Sequence, residues 1–131
     1  MPQTHIAPLQ RIQNSAARLI SRAKKADHIT PVLRSLHWLP LVQQIQFKVL
    51  ILAYKVKHGL ATQYISDLLI PKKQSSSSVV LRSSSSAHLQ FNTGPIPRTR
   101  YGNRAFSVAA PTLWNNLPVH IRASSTLDTF K

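Results

Sequence analysis

The residues that most often carry chemistry are absent or scarce in this chain of 131 residues. It has no cysteine and no glutamate, and its acids are limited to Asp27, Asp67 and Asp128. The lack of cysteine excludes disulfides, a thiol nucleophile and cysteine-ligated zinc. Phosphoryl transfer with two metals needs at least two converging carboxylates, and these three lie far apart in the sequence. We therefore expect no catalytic residue in the chain.

Glycine, histidine and long apolar runs offer no alternative site. The three glycines are too few for a loop that cradles phosphate, and the six histidines lack the spacing that places two on one ion. No apolar run approaches the roughly 18 residues that span a bilayer. The first residues also lack the apolar core of a signal peptide. We expect a non-enzymatic intracellular protein with no metal, no cofactor and no membrane contact.

Positive charge is what the chain has in excess. Seventeen Lys and Arg residues give it a net charge of +14. So basic a chain repels itself unless it meets a polyanion, and the phosphate backbone of nucleic acid is the commonest one. A membrane surface is the competing acidic partner, but no basic helix here has a strongly inserting aromatic face. The remaining alternative is that the charges are simply solvated.

Hydrophobic periodicity predicts a mainly α fold that begins with a helix over about residues 6–25. Pro8 lies where the first turn tolerates it. One side of this helix is apolar and is predicted to face the core; it carries Ile6, Leu9, Ile12, Ala16, Leu19, Ile20 and Ala23. The opposite side is predicted to bind nucleic acid through a line of basic residues, Arg11, Arg18, Arg22 and Lys25.

Three more helices complete a predicted bundle of about four helices over residues 1–70. Thr30 and Pro31 are typical of a helix start, as N-cap and first helical residue, and Pro40 ends that short helix. The longest helix, 41–57, is apolar around most of its circumference, so it should be the most buried. Gly59 is its expected left-handed cap, and a further helix covers about 62–69.

Composition changes after the bundle. Residues 71–88 are predicted to be a flexible linker, because eight serines fall within 75–86. Residues 89–131 are predicted to be an irregular segment with short helices. Its first part forms either short extended pieces or an ordered loop, and 104–118 should form two helical turns separated at Pro111. Ser125 to Asp128 read as a capping box for a last helix that stops early, as a truncated chain would.

A second basic cluster precedes these short helices. Arg98, Arg100 and Arg104 surround Tyr101. Guanidinium groups suit phosphates and a tyrosine ring can stack on a base, so this cluster is also predicted to bind nucleic acid. The alternative is that Tyr101 anchors a core and the arginines are solvated. No base-reading motif is present, so binding should follow the backbone and weaken with salt.

Several segments, read in order, resemble one protein family. They are LQRIQNSAARLI, ITPVLRSLHWLP, IQFKVLILAYKVKHGLATQYISDLL, the Ser-rich spacer, PRTRYGNRAFSVAAPTLWNNLP and IRASSTLDTFK. Their order and approximate spacing resemble the C-terminal region of reverse transcriptases from non-LTR retrotransposons, notably the jockey-like group. LHWLP at 36–40 and RAFSVAAPTLWNNLP at 104–118 are the specific parts. The resemblance covers about residues 9–131.

The resemblance implies a position and a role. In the family this region follows the polymerase palm, and its start resembles the end of the thumb. The Tyr-x-Asp-Asp motif that holds the metals is missing here, so the resemblance transfers no catalytic residue. It implies a non-catalytic fragment that positions RNA template or target DNA and acts in the nucleus, and the family pattern continues past the position of Lys131. The alternatives are a structural fragment that packs on the palm and thumb, and a decayed copy without selected function.

The resemblance also suggests a role for the neutral stretch at 104–118. We expect it to be a docking strip that buries its apolar side chains against the helices at 41–57 and 62–69. The alternative is that it packs on the absent palm and thumb and is exposed here. The residues of the strip are Phe106, Val108, Leu113, Trp114 and Leu117.

Overall fold

A computed structural model of the chain describes residues 3–72, 89–94, 99 and 102–130. This part is mainly α-helical, as predicted. Its helices are α1 (Gln3–Ser21), α2 (Ile29–Ser35), α3 (Leu41–Lys57), α4 (Gln63–Ser66), α5 (Phe106–Asn115), α6 (Val119–Arg122) and α7 (Leu127–Phe130). A 3-10 turn at Gly102–Arg104 precedes α5. The predicted serine linker falls outside the described residues except for Pro71 and Lys72.

The chain divides into two compact units, unit 1 (Met1–Phe47) and unit 2 (Lys48–Lys131). The division falls inside α3. It therefore does not coincide with residue 70, where the composition placed the end of the helical bundle. Each unit has its own buried residues.

Helix α1 of unit 1 starts earlier and ends earlier than its periodicity predicts. It begins at Gln3, so Pro8 lies inside the helix rather than in its first turn. Arg22 then adopts a left-handed conformation with φ 53°, and the Ala23 N–H donates to the Arg18 carbonyl at 3.1 Å. These are features of a Schellman cap, which closes the helix. Lys25 consequently lies beyond the helix, and the basic line is not a single helical face.

The predicted core face of α1 is confirmed at Ile6 but wrong for its other large residues. Ile6 and Ala17 are buried, whereas the other large apolar side chains are more than half exposed: Leu9, Ile12, Leu19 and Ile20. The apolar periodicity marks one side of the helix, but in this fold another side makes the contacts. Amphipathic spacing alone gives no information on which side a neighbouring segment will meet.

The contacting side of α1 carries side-chain amides as well as the buried Ile6 and Ala17. The Gln13 side chain donates to the Leu39 carbonyl at 2.9 Å, and the Gln10 side-chain oxygen accepts from the Leu41 N–H at 2.9 Å. Gln10 also donates to Asn14 at 2.8 Å. Pro40 interrupts the backbone pairing of residues 39–41, which leaves backbone groups there without partners in a helix. The amides of α1 supply partners for two of these groups.

Helix α2 begins at Ile29, with His28 rather than Thr30 as its N-cap and no side-chain capping bond. Pro31 therefore lies in the first turn, where its missing N–H has no intrahelical partner to lose. The helix ends at Ser35, so it is not terminated by Pro40, contrary to the prediction. His37 is left-handed at φ 54°, and the Trp38 N–H donates to the Leu33 carbonyl at 2.8 Å. This is a second Schellman cap.

Helix α3 has the predicted bounds because both ends carry local signals. The Pro40 carbonyl accepts the Gln44 N–H at 3.0 Å at its start. At its end Gly59 has φ 68°, and the Leu60 N–H donates to the Lys55 carbonyl at 2.8 Å, as expected for a glycine cap. Helix α4 starts after Thr62 as predicted but is shorter than 62–69, because its last residues form separate turns.

The core of unit 2 gathers one or two residues from each of several elements. It consists of Ala53, Tyr54, Leu69, Phe91, Ala110, Trp114 and Phe130. Residues 70–72 and 90–92 pair as an isolated antiparallel bridge between Pro71 and Phe91. The Lys72 N–H donates to the Gln90 carbonyl at 2.9 Å, and the Asn92 N–H donates to the Ile70 carbonyl at 2.8 Å. Residues 90–92, predicted to be either extended or part of an ordered loop, thus pair with the residues after α4, which include Pro71 and Lys72 of the predicted linker.

Helices α5 and α7 differ in detail from their predictions. α5 is one continuous helix with Pro111 buried inside it, not two turns separated there. Proline removes one intrahelical hydrogen bond, and the burial of its ring offsets that loss. The N-cap of α7 is Thr126, whose Oγ1 accepts the Thr129 N–H at 3.2 Å. The cap is therefore one residue later than the sequence pattern suggested.

Candidate nucleic-acid interface

Three exposed cations follow the end of α1 in unit 1. We name residues 22–25 the basic turn, after Arg22, Lys24 and Lys25, all of which are exposed. The left-handed Arg22 ends the helix, so these side chains emerge from a turn rather than from a helical face. Sequence analysis missed Lys24 because it does not fall on the predicted helical line.

Arg18 holds this turn in place. Its Nη2 donates to the Asp27 carbonyl at 2.9 Å, and its Nη1 is buried with no hydrogen-bond partner among the described residues. The turn is closed further by the Lys24 N–H, which donates to the Asp27 carboxylate at 2.7 Å. Arg18 is therefore half-buried and engaged with backbone, although its predicted role was contact with phosphate.

Two acids accept hydrogen bonds from neutral donors among the described residues. Asp27 accepts a backbone N–H, and Asp67 accepts the Gln63 side-chain amide at 2.7 Å. Unit 1 contains six Arg and Lys residues, and Asp27 is its one acid. The net positive charge of the unit is therefore displayed to solvent, mostly by exposed side chains.

Arg11 extends the basic surface along α1. It is exposed and precedes Arg22 by eleven residues. At a rise of about 1.5 Å per residue, the two positions are roughly 16 Å apart along the axis. That length matches the rise of about five base pairs, taking about 3.4 Å for each. The basic turn and Arg11 together can therefore face several successive phosphates.

The second predicted cluster is only partly described. Arg98, Arg100 and Tyr101 lie outside the described residues. Arg104 is half-buried at the end of the 3-10 turn, where the Gly102 N–H donates to Thr99 Oγ1 at 3.1 Å. The nucleic-acid-binding role of this cluster stays a prediction.

The neutral strip forms part of the core of unit 2. The Trp114 side chain has no exposed surface, and its Nε1 donates to the Leu89 carbonyl at 2.7 Å. Phe106 and Leu117 pack at the edge of the core, and Val108 and Leu113 are half-buried. Trp114 is therefore inaccessible to another protein while unit 2 is folded.

Unit 2 also contains a buried arginine that sequence analysis did not single out. Arg122 is 5% exposed, and its Nε and Nη1 have no hydrogen-bond partner among the described residues. Two effects lower the pKa of Lys57 on α3 below its usual value of 10.5. The larger effect is burial of the Lys57 ammonium, and the second is the positive charge of the nearby Arg122 guanidinium. No sequence signal marks this pair, since the two residues meet only through the tertiary fold.

Within the described ranges, no group of three or more His, Asp or Glu side chains could hold a metal ion. No helix in that part of the chain is long and apolar enough to cross a membrane. No protein-family model, curated protein or solved structure matches the chain.

Proposed function

We propose that this protein binds the sugar-phosphate backbone of RNA or DNA through unit 1, without catalysis. The observation that carries the proposal is that the basic turn and Arg11 are exposed while the one acid of unit 1 is bonded to a backbone N–H. Such an uncompensated surface attracts a polyanion. Binding should be insensitive to sequence, because phosphate contacts position a strand without reading its bases.

We further propose that the chain derives from the region after the palm of a non-LTR retrotransposon reverse transcriptase, and that it acts in the nucleus. The support is the resemblance carried by LHWLP and RAFSVAAPTLWNNLP. Sequencing the native transcript upstream of the Met1 codon tests this origin. An in-frame palm with its pair of aspartates supports it, and an unrelated upstream reading frame contradicts it.

The binding proposal is tested by the salt dependence of affinity. Fluorescence anisotropy of the full chain with an RNA–DNA hybrid, measured across a salt series, gives a slope that counts phosphate contacts. Arg11→Gln and Lys25→Gln should each weaken binding and reduce the slope by about one. Lys48→Gln is the matched control, because it removes the same charge from an exposed position on α3, outside the proposed surface.

Two results would overturn the binding proposal. One is that Lys48→Gln changes the slope as much as Arg11→Gln, since the binding would then reflect net charge alone. The other is that the folded chain binds the hybrid no better than a charge-matched peptide at about 150 mM salt.

Arg18 gives a separate test of how the surface is built. Because its guanidinium holds the Asp27 carbonyl, Arg18→Gln should lower the free energy of unfolding by about 1–2 kcal/mol. Arg11→Gln, at an exposed position, should leave stability within about 0.5 kcal/mol. Equal stability of the two variants would show that Arg18 does not brace the turn.

A further inference from the structure

One side of α1 presents large apolar side chains that the described part of the chain leaves uncovered. Leu9, Ile12, Leu19 and Ile20 are 55%, 66%, 82% and 59% exposed. With the half-buried Ala16 between them, they lie three or four residues apart and are therefore neighbours on the helix surface. We name these five residues the open face. Single exposed apolar residues are ordinary, but a contiguous patch marks a surface that another molecule covers.

The spacing of the open face is that of a coiled-coil seam. From Leu9 to Leu19 its members are separated by three, four and three residues, as the a and d positions of a heptad are. The hydrogen bonds of α1 to residues 39–41 come instead from Gln10 and Gln13. The seam therefore suits a second helix that the described part of unit 1 does not supply.

The charges of α1 lie away from the open face. Arg11 and Arg18 are the two charged residues between Leu9 and Ile20. At about 100° per residue, they lie roughly 140° around the helix axis from the middle of the face. An acidic membrane or an acidic protein would need cations beside the apolar side chains, where they could reach its charges. The open face therefore suits a partner whose own contact surface is apolar and uncharged.

A second copy of the chain supplies such a surface. Two antiparallel α1 helices related by a two-fold axis place Leu9 opposite Leu19 of the second copy and Ile12 opposite its Ala16. Each Ile12 then meets a small residue, so the seam fills evenly. A parallel pair would place Ala16 against Ala16 and leave a gap. We propose that the open face is the interface of an antiparallel homodimer.

The homodimer is compatible with the high positive charge of the chain. Helices in contact have axes about 8–10 Å apart, and Arg11 projects from the far side of each, so the two guanidinium groups lie roughly 20 Å apart. This distance exceeds the Debye length of about 8 Å at 0.15 M salt, so their repulsion is largely screened. The pairing itself needs no nucleic acid, and it stands apart from the binding proposed for unit 1.

The size of the open face sets the expected affinity. Its four large side chains offer roughly 300 Å² of apolar area, taking about 100 Å² for each when fully exposed. Two copies bury about twice that area, which is below the roughly 1,200 Å² of a stable interface. We therefore expect a weak dimer with a Kd on the order of 10–100 µM.

Sedimentation velocity of the full chain, purified free of nucleic acid, tests the proposal at about 150 mM salt. Between about 5 and 500 µM the wild type should pass from mostly monomer to mostly dimer. A chain that stays monomeric over this range overturns the proposal. If that monomer binds vesicles of phosphatidylserine and phosphatidylcholine, and Ile12→Gln abolishes the binding, an acidic membrane covers the face instead.

Two variants of the open face identify the interface. Ile12→Gln and Leu19→Gln should each weaken the dimer by about tenfold or more, because the two-fold axis repeats each change. Both side chains are largely exposed, so circular dichroism should show unchanged helix content. Leu60→Gln is the matched control, since Leu60 is 65% exposed but lies in unit 2. An equal effect of Leu60→Gln would overturn the proposal, because association would then follow general hydrophobicity.

Disulfide trapping tests the antiparallel arrangement, and the chain has no cysteine of its own to interfere. A disulfide needs its two Cα atoms within about 7 Å, so only facing positions can be joined. A mixture of Leu9→Cys and Leu19→Cys should form a cross-linked pair on mild oxidation, and neither variant alone should do so. Cross-linking of each variant with itself, without the mixed pair, would show a parallel dimer and overturn the proposed arrangement.

Discussion

Trp114 and Phe130 stack in the core of unit 2, with ring centroids 5.5 Å apart and ring planes 25° apart. Phe130 is in turn 4.8 Å from Tyr54 of α3, and Phe91 meets Trp114 edge-on at 5.7 Å. One aromatic cluster therefore joins helices α3, α5 and α7 to residues 90–92, which we name the bridge segment. This arrangement explains why so basic a chain has a neutral, tryptophan-bearing stretch near its end.

The cluster predicts a large cost for losing Trp114. Trp114→Ala should lower the free energy of unfolding by about 3–5 kcal/mol, because it leaves a cavity and an unpaired Leu89 carbonyl. Trp114→Phe keeps an aromatic ring but not the Nε1 donor, and should cost about 1–3 kcal/mol. Urea unfolding followed by circular dichroism measures both. Tyr64→Ala, at an exposed aromatic residue, is the control and should change the free energy of unfolding little. If Trp114→Ala also changed it little, Trp114 would not be the centre of the core.

Asn115 joins α5 to the bridge segment by two hydrogen bonds. Its side-chain oxygen accepts the Phe91 N–H at 3.1 Å, and its amide donates to the Phe91 carbonyl at 2.9 Å. Asn115→Ala leaves two backbone groups beside a buried residue unpaired, which should cost about 2–4 kcal/mol. The neighbouring Asn116→Ala is a matched control, because Asn116 is exposed. If urea midpoints show the two variants equally stable, the pairing with Phe91 contributes nothing to the fold.

Sequence signals predicted those parts of the fold that depend on neighbouring residues. Pro40 and Gly59 defined α3 because each restricts its own backbone. Most of the apolar side of α1 was assigned to the core wrongly: Ile6 is buried as predicted, but the amides of Gln10 and Gln13 make contacts where the larger apolar residues were expected. Periodicity reports that a helix has two sides, but the partner segment determines which side is buried.

The candidate sites illustrate the same limit. The exposure of Arg11 and Lys25 follows from their charge, so a basic surface could be expected from the sequence. The bond from Arg18 to the Asp27 carbonyl depends on a turn that forms only because Arg22 is left-handed. The burial of Arg122 depends on contacts between elements far apart in sequence. Neither has a local signature that one sequence could reveal.

The left-handed residues that cap α2 and α3, His37 and Gly59, lead to a further prediction about stability. His37 occupies a left-handed position with φ 54°, where a side chain costs about 1–2 kcal/mol. His37→Gly should therefore stabilise the chain by about 0.5–1 kcal/mol, after the entropy that glycine adds to the unfolded state is subtracted. Gly59→Ala is the converse change and should destabilise by about 1 kcal/mol; its added Cβ meets no atom within 4 Å, so the effect is backbone strain alone. Urea unfolding that moved both variants in the same direction would contradict this account of the caps.

The lowered pKa of Lys57 predicts how the free energy of unfolding depends on pH. Burial, and then the charge of Arg122, lower its pKa below 10.5 in the folded protein. Between the lowered value and 10.5 the unfolded chain binds more protons at this position than the folded chain does. The contribution of Lys57 to the free energy of unfolding therefore rises with pH across this window, and below the lowered pKa its penalty is fully present and constant.

Comparison of wild type with Lys57→Gln isolates that contribution, because the two proteins share every other ionisable group. Urea unfolding from neutral pH to 10.5 should show stability rising with pH in wild type relative to Lys57→Gln. Lys48→Gln, at an exposed position on the same helix, should follow wild type. Parallel pH profiles for wild type and Lys57→Gln would mean that the ammonium is as well solvated in the folded chain as in the unfolded one. In Arg122→Met the rise should be smaller but still present, because burial, the larger cause of the shift, remains after the neighbouring charge is removed.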